Sequence, residues 1–188
     1  MKIDIFNTDK KYQIIYADPP WKYADKRCQG ACEKIYPTMK IADICELPIK
    51  DIADKDCILF MWVTYPMLKE ALILMEAWGF KYKTIGFQWV KQNRSGNGFF
   101  FGLGRWTRGN TECCLIATKG KPKRINNSVG QLIISPLQAH SQKPDEAREK
   151  IVQLEIYQEL NFLLDSMRMV GIAGEMKFKY NDGLNVKE

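Results

Sequence analysis

Asp18-Pro19-Pro20-Trp21 places a carboxylate, two residues without backbone N–H groups and an indole in four consecutive positions. The prolines stiffen the turn and leave its carbonyls to accept hydrogen bonds. A carboxylate and carbonyls converging at one point suit an amino group that must be held and polarised. Trp21 offers a face on which a base could stack. The same four residues also suit a rigid turn capped by the Asp. They follow Gln13–Ala17, an apolar run that reads as a buried strand stopped by prolines. Open α/β sheets place their ligands just past the C-terminal ends of such strands.

A second group lies in a Gly-rich stretch. From Lys91 to Asn110 there are five Gly, with Arg94, Arg105 and Arg108 standing among Phe99, Phe100, Phe101 and Trp106. Basic and aromatic residues on one loop suit phosphate contact and base stacking; a solvated loop over a Phe cluster is the plainer reading. The net charge of +6 permits a polyanionic partner. Between Lys91 and Arg124 the basic residues face a single acid, Glu112, so the surplus is expected on this loop.

Six Cys and one His limit the remaining chemistry. Cys28 and Cys32 could be half of a zinc site, but no second pair follows at ligand spacing, so no metal is expected. Cys57, Cys113 and Cys114 lie in apolar runs and read as buried small hydrophobes. One His weakens a Ser-His-Asp reading. Phe100-x-Gly102-x-Gly104 matches a cofactor loop that needs a strand before it and a helix after it. Polar, loop-like segments flank it instead, and the match is rejected.

The elements that must position these residues alternate. Strands are expected at Gln13–Ala17, Cys57–Val63, Tyr82–Val90, Thr111–Thr118 and Gln131–Ile134. A helical turn is expected at Ile41–Cys45 and a helix at Pro66–Trp78, closed by Gly79. Pro144, Asp145 and Glu146 open another helix. Strand, helix and strand in turn argue α/β with a mainly parallel sheet. The longest apolar run, Cys57–Val63, is far short of the roughly 20 residues that span a bilayer. With no signal-peptide pattern near the start, a cytoplasmic protein without a membrane partner is expected.

Asp-Pro-Pro-Trp after a hydrophobic strand resembles the MT-A70 family of adenine-N6 methyltransferases. Further segments follow in family order: Tyr36-Pro-Thr-Met39 with Leu47-Pro48, Leu59-Phe-Met-Trp-Val-Thr64, and Glu76-Ala-Trp-Gly-Phe80. After them come Trp89-Val-Lys91, Gly102-x-Gly104-x-x-x-Arg108, Lys119-Gly-Lys-Pro122 and His140-Ser-x-Lys-Pro-Asp145. The set looks most like the short bacterial and phage members. The resemblance implies a Rossmann-like class I methyltransferase fold with permuted motif order, the catalytic strand preceding the cofactor strand. It implies S-adenosyl-L-methionine as cofactor and adenine N6 in DNA as acceptor, RNA being the weaker alternative. Asp18, Pro19, Pro20 and Trp21 would be catalytic. Asp18 and the Pro19 carbonyl would accept the amine's N–H bonds, and Trp21 or Tyr23 would pack the ring. Asp18, Lys91, His140 and Lys143 would line the cofactor pocket. Tyr23, Arg94, Arg105, Trp106 and Arg108 would meet nucleic acid. A non-catalytic nucleic-acid-binding or partner subunit, or an inactive remnant, is the other reading.

The resemblance covers residues 12 to 154 and then breaks. Residues 1–154 read as the methyltransferase domain and 155–188 as a divergent tail. Relatives continue into a strand like Glu-Leu-Phe-Ala-Arg and close with Gly-Trp and Trp-Gly-Asn-Glu. Read one base earlier, codons for Ile156 to Phe178 can give DLPRIELFARLYANGWNSWGNEV followed by a stop, so the tail resembles a frame-shifted family tail. As written, residues 145 to 168 read as one helix with Ile151, Leu154, Leu160 and Leu164 on its apolar face. The expectation is a sheet lacking its normal last strand, a destabilised protein and weak or absent cofactor binding.

Overall fold

The computed structural model describes residues 5–23, 38–104, 106–139 and 142–154, with the backbone of 162–168, 171–172 and 175–176. The elements run β1 (Tyr12–Asp18), α1 (Ile41–Cys45), α2 (Ile49–Ile52), β2 (Ala53–Val63), a 3-10 turn (Tyr65–Met67), α3 (Leu68–Ala77) and β3 (Lys81–Gln92). They continue with β4 (Thr111–Lys119), β5 (Leu132–Pro136), α4 (Asp145–Gln153), β6 (Phe162–Arg168), β7 (Gly171–Ile172) and β8 (Glu175–Met176).

Six of these strands form one sheet in the order β5-β3-β4-β2-β1-β6. β1 is parallel to β2 and β6, and β3 is parallel to β5. β4 lies antiparallel to both β2 and β3, so it alone runs against the rest and the sheet is mainly parallel. Both faces are covered, which is why β1 and β2 read as near-continuous apolar runs. Successive side chains alternate between the faces. Ile15, Ala17, Leu59, Met61 and Val63 pack with Ile44, Ile49, Ala71, Leu74 and Trp78 of α1–α3. Ile14, Tyr16, Phe60, Trp62, Phe87 and Trp89 pack with Ala147 and Ile151 of α4.

The helix at Leu68–Ala77 ends where expected. Gly79 takes φ +80, the Gly79 N–H donates to the Glu76 carbonyl and the Phe80 N–H to that of Met75. This is the paired bonding of a Schellman cap. Cys57, Cys113 and Cys114 are buried. Burial pushes the Cys57 thiol up to about 12 and that of Cys113 up to about 11. Both stay protonated at neutral pH and act as small hydrophobes.

The tail differs from its sequence reading. α4 stops at Gln153 with Leu154 as its cap, whereas one helix was expected through residue 168. The Leu154 carbonyl accepts the N–H groups of Ile125 and Asn126. Phe162–Arg168 instead forms β6, parallel to β1, with Ile14 opposite Phe162 and Ile15 opposite Leu163. The expected vacancy beside β1 is therefore filled. The physical reason is the ladder: without a neighbour, one side of β1 would leave its N–H and C=O groups unpaired inside the protein. Met176 opposes Gly171 in a separate two-stranded ribbon. Among the described residues, no helix is long and apolar enough to cross a membrane.

Candidate active site

The C-terminal end of β1 delivers Asp18, and the parallel end of β3 delivers Lys91. β4 runs the other way, so its beginning reaches the same edge and delivers Glu112, one residue from its start. Alternation sets the side: Tyr16 lies on the α4 face and Asp18 is two residues on, while Trp89 and Lys91, and Cys114 and Glu112, stand in the same relation. Lys143 comes from the segment entering α4, which covers that face.

These four charges join in a chain. The Lys143 ammonium lies 2.8 Å from Asp18 Oδ2 and 3.1 Å from Glu112 Oε1. The second Glu112 oxygen lies 2.8 Å from Lys91 Nζ. Two carboxylates and two ammoniums thus form a neutral, largely buried row. Burial alone would push the Glu112 carboxyl up, but the Lys143 and Lys91 ammoniums outweigh it and hold it below 4.5. Burial likewise disfavours the Lys143 ammonium, and Asp18 and Glu112 reverse that and raise it above 10.5. Glu112 and Lys143 both carry charge at neutral pH.

An aromatic floor supports the row. Trp62 meets Trp89 edge-on, centroids 6.3 Å apart. Lys91 Nζ sits 4.9 Å from the Trp89 ring centre and Lys143 Nζ 5.8 Å from that of Trp62. The Trp62 indole N–H donates to the Tyr16 hydroxyl at 2.6 Å. Burial raises the Tyr16 phenol far above 10.0, so it stays neutral. The rings give the ammoniums cation–π contact and exclude water.

The Asp18–Trp21 turn is tied down on its other side. The Trp21 N–H donates to the Pro19 carbonyl and the Met39 N–H to that of Pro20, both at 2.9 Å. Each carbonyl expected to be free therefore already accepts one bond, and among the described residues it accepts no other. Trp21 is only 5% exposed, packs with the α1–α3 core and donates its indole N–H to the Trp62 carbonyl. A face offered for stacking is not what the fold presents; Trp21 braces the turn. Tyr23 is partly buried, with its hydroxyl 2.8 Å from Thr64 Oγ1.

The Gly-rich stretch leaves β3 at the same edge. It turns at Asn93–Gly98, the Asn93 N–H donating to the Gly98 carbonyl, and Phe99 bridges back to Gln92. Beyond it the backbone closes on itself. A Cβ at Gly102 would stand 2.0 Å from the Gly109 carbonyl oxygen, and one at Gly104 1.9 Å from that of Thr107. Only glycine permits this approach. The tip carries Leu103 and Trp106, the latter 98% exposed, and the Arg108 guanidinium lies over the Phe101 ring. Arg94 is exposed on the first turn. Among the described residues, Phe100–Gly104 is neither directly preceded by a strand nor directly followed by a helix, as the rejected cofactor-loop match required.

Of the expected residues, Asp18, Lys91 and Lys143 come together, and Glu112 joins them unforeseen. Its signal was its isolation: one acid in a basic stretch, at the start of a strand. Arg94, Trp106 and Arg108 stand apart on the loop. His140, Arg105, Cys28, Cys32, Tyr36 and Pro37 lie outside the described residues. The basic surplus divides, because Lys119 to Arg124 lie at the far end of antiparallel β4.

The sequence pattern of the MT-A70 family matches residues 12–164, and the chain belongs to that family. The match runs past Leu154 into β6. The chain is similar to the type II methyltransferase M.MunI of Mycoplasma sp, 38% identical over 72% of this chain and 64% of that protein. It is also similar to an N(6)-adenosine-methyltransferase MT-A70-like protein of Drosophila melanogaster, 29% identical over 72% of this chain and 21% of that protein. A third relative is the N6-adenosine-methyltransferase non-catalytic subunit MTB of Arabidopsis thaliana, 34% identical over 49% of this chain and 12% of that protein. The chain thus spans under two thirds of the first relative and about a fifth of the second.

Proposed function

We propose that this methyltransferase-family protein transfers a methyl group from S-adenosyl-L-methionine to N6 of adenine in DNA, on a Rossmann-like class I fold with permuted motif order. The observation that carries this is Asp18, fixed by Lys143 at the end of β1 beside carbonyls that retain accepting capacity. The likeness to a type II methyltransferase supports DNA.

The residues fit the cofactor's amino-acid end, which bears both signs of charge. Asp18 and Glu112 would face its ammonium, and Lys91 at the rim its carboxylate. The Ser135 hydroxyl is buried without a partner among the described residues and belongs to the residue opposite Lys91 in the β3–β5 register. An unpaired buried hydroxyl costs about 1–3 kcal/mol, which a polar ligand group would recover. When bound, the cofactor supplies an electrophilic methyl on a sulfonium.

The chain's own groups do the positioning. Adenine's exocyclic amine is a poor nucleophile because its lone pair is delocalised into the ring. Asp18 and the Pro19 carbonyl accept its two N–H bonds and favour a pyramidal nitrogen. Lys143 holds Asp18 in place through the 2.8 Å contact. Catalysis is then mainly orientation and electrostatics. In a duplex the base must leave the stack first, and the aromatic loop tip beside the site suits that strained DNA. Calorimetric titration tests the cofactor half: micromolar binding of S-adenosylmethionine supports the reading, and no binding heat overturns it.

The second reading, a non-catalytic partner subunit, draws on the likeness to the non-catalytic Arabidopsis subunit. The intact Asp18–Trp21 turn and its ion pair favour the first.

A further inference from the structure

Setting the site aside, a cluster of cations lies at the opposite edge of the sheet. β4 enters beside the site at Glu112 and leaves at Lys119, about 25 Å away at roughly 3.4 Å per residue. There the register sets Cys57 of β2 opposite Lys119 and Lys81 of β3 opposite Thr118. Lys55, Lys81, Lys83, Lys121, Lys123 and Arg124 are gathered around these three strand ends, all exposed.

The turn that carries the last three is fixed. Gly120 takes φ +66, and a Cβ there would stand 2.1 Å from the Lys55 carbonyl oxygen. The Lys121 N–H donates to Asp56 Oδ1 at 2.7 Å. Asp54 accepts from the Lys55 backbone N–H. Both acids are thus engaged by backbone, and among the described residues none of the six cations is in an ion pair. Lys119 adds a further positive charge, its ammonium donating to the carbonyls of Lys50 and Ala53. Like charges held together on a pinned turn repel, and a polyanion relieves that repulsion.

We infer that this edge binds the phosphate backbone of nucleic acid, at a stretch separate from the one that meets the site. The inference rests on the proposed nucleic-acid substrate for its choice of polyanion. An anionic membrane would be met by an amphipathic helix with an apolar face, and this edge is built of strand ends and a turn.

The test is fluorescence anisotropy with a duplex of about 40 base pairs at 50 to 200 mM salt, each neutralised phosphate contributing about 0.9 to the slope of log K on log salt. The triple variant Lys121→Gln, Lys123→Gln, Arg124→Gln should lower that slope by about two to three. Affinity at 50 mM salt should fall at least about tenfold, with the melting temperature and the saturated methyl-transfer rate unchanged. A second variant, Lys55→Gln, Lys81→Gln, Lys83→Gln, should behave alike. Unchanged slope and affinity in both variants would overturn the inference. So would variants that keep DNA binding and lose binding to phosphatidylserine vesicles. If the variants lose DNA while the unaltered protein binds it yet transfers no methyl group, the surface stands and the proposed activity falls.

Discussion

The Lys143 ammonium lies 2.8 Å from Asp18 Oδ2 across 125 positions of sequence. The same ammonium reaches Glu112, so one cation from the segment before α4 locks the ends of β1 and β4. Removing it leaves two carboxylates facing each other with little water. Lys143→Met should cost about 3–5 kcal/mol, the usual penalty for orphaning a buried charge partner, and should abolish methyl transfer. Urea unfolding measures the first and radiolabel transfer the second; a loss below about 1 kcal/mol would mean the bridge is solvated.

The same row sets a pH window. Glu112 is held below 4.5 in the fold, so its contribution is present above the unfolded value and is lost as pH falls through the folded one. Lys143 is raised above 10.5, so its contribution is complete below that value and is lost only as pH rises through the folded one. Stability from this row should be level between about pH 5 and pH 10 and drop on the acid side. Urea midpoints from pH 3 to 9 check this, and Glu112→Gln should remove part of the acid limb.

Trp106 tests the loop. At 98% exposure it contributes little to the fold, so Trp106→Ala should change stability by less than about 0.5 kcal/mol. If it stacks on a base, DNA affinity should fall by about 1–3 kcal/mol, roughly 5- to 150-fold. Anisotropy titration reads this directly.

Gly102 tests the loop's shape without touching its tip. The added methyl in Gly102→Ala meets the Gly109 carbonyl and must open the closed backbone. The expected result is weaker DNA binding with S-adenosylmethionine affinity unchanged, measured by anisotropy and calorimetry on one preparation.

Much of this arrangement was legible in the sequence. Apolar runs marked β1, β2 and β4, and Gly79 marked the end of α3. The Asp18–Trp21 turn, Lys91 and Lys143 were recognised, but not that Lys143 would bind Asp18. Nor was the place of Glu112, which depends on β4 running antiparallel and so carrying Glu112 to the edge where β1 ends and Lys119 to the other. Local pattern cannot express such a reversal. An indole before a polar loop looks exposed, whereas the Trp21 N–H is held by the Trp62 carbonyl in the core. The helix expected through residue 168 followed apolar spacing, but the spacing of Leu160 and Leu164 is outweighed by the demand of β1 for a neighbouring strand.

β6 makes that last point testable. A proline at position 163 removes a backbone N–H beside Ile15 and should speed hydrogen exchange of the β1 amides. Unchanged protection would mean that β1 does not depend on β6. The frame-shift reading of the tail is separate: codons for residues 156–178 that cannot encode the shifted family pattern would end it.

The central claim is adenine-N6 transfer directed by Asp18. The direct measurement is incubation with labelled S-adenosylmethionine and unmethylated DNA, followed by nucleoside mass spectrometry. N6-methyladenine should form with the unaltered protein and fall by at least about a hundredfold with Asp18→Asn, as loss of a positioned acceptor for the reacting amine demands. No methylated nucleoside, methylation of cytosine instead, or equal N6-methyladenine from Asp18→Asn would contradict it.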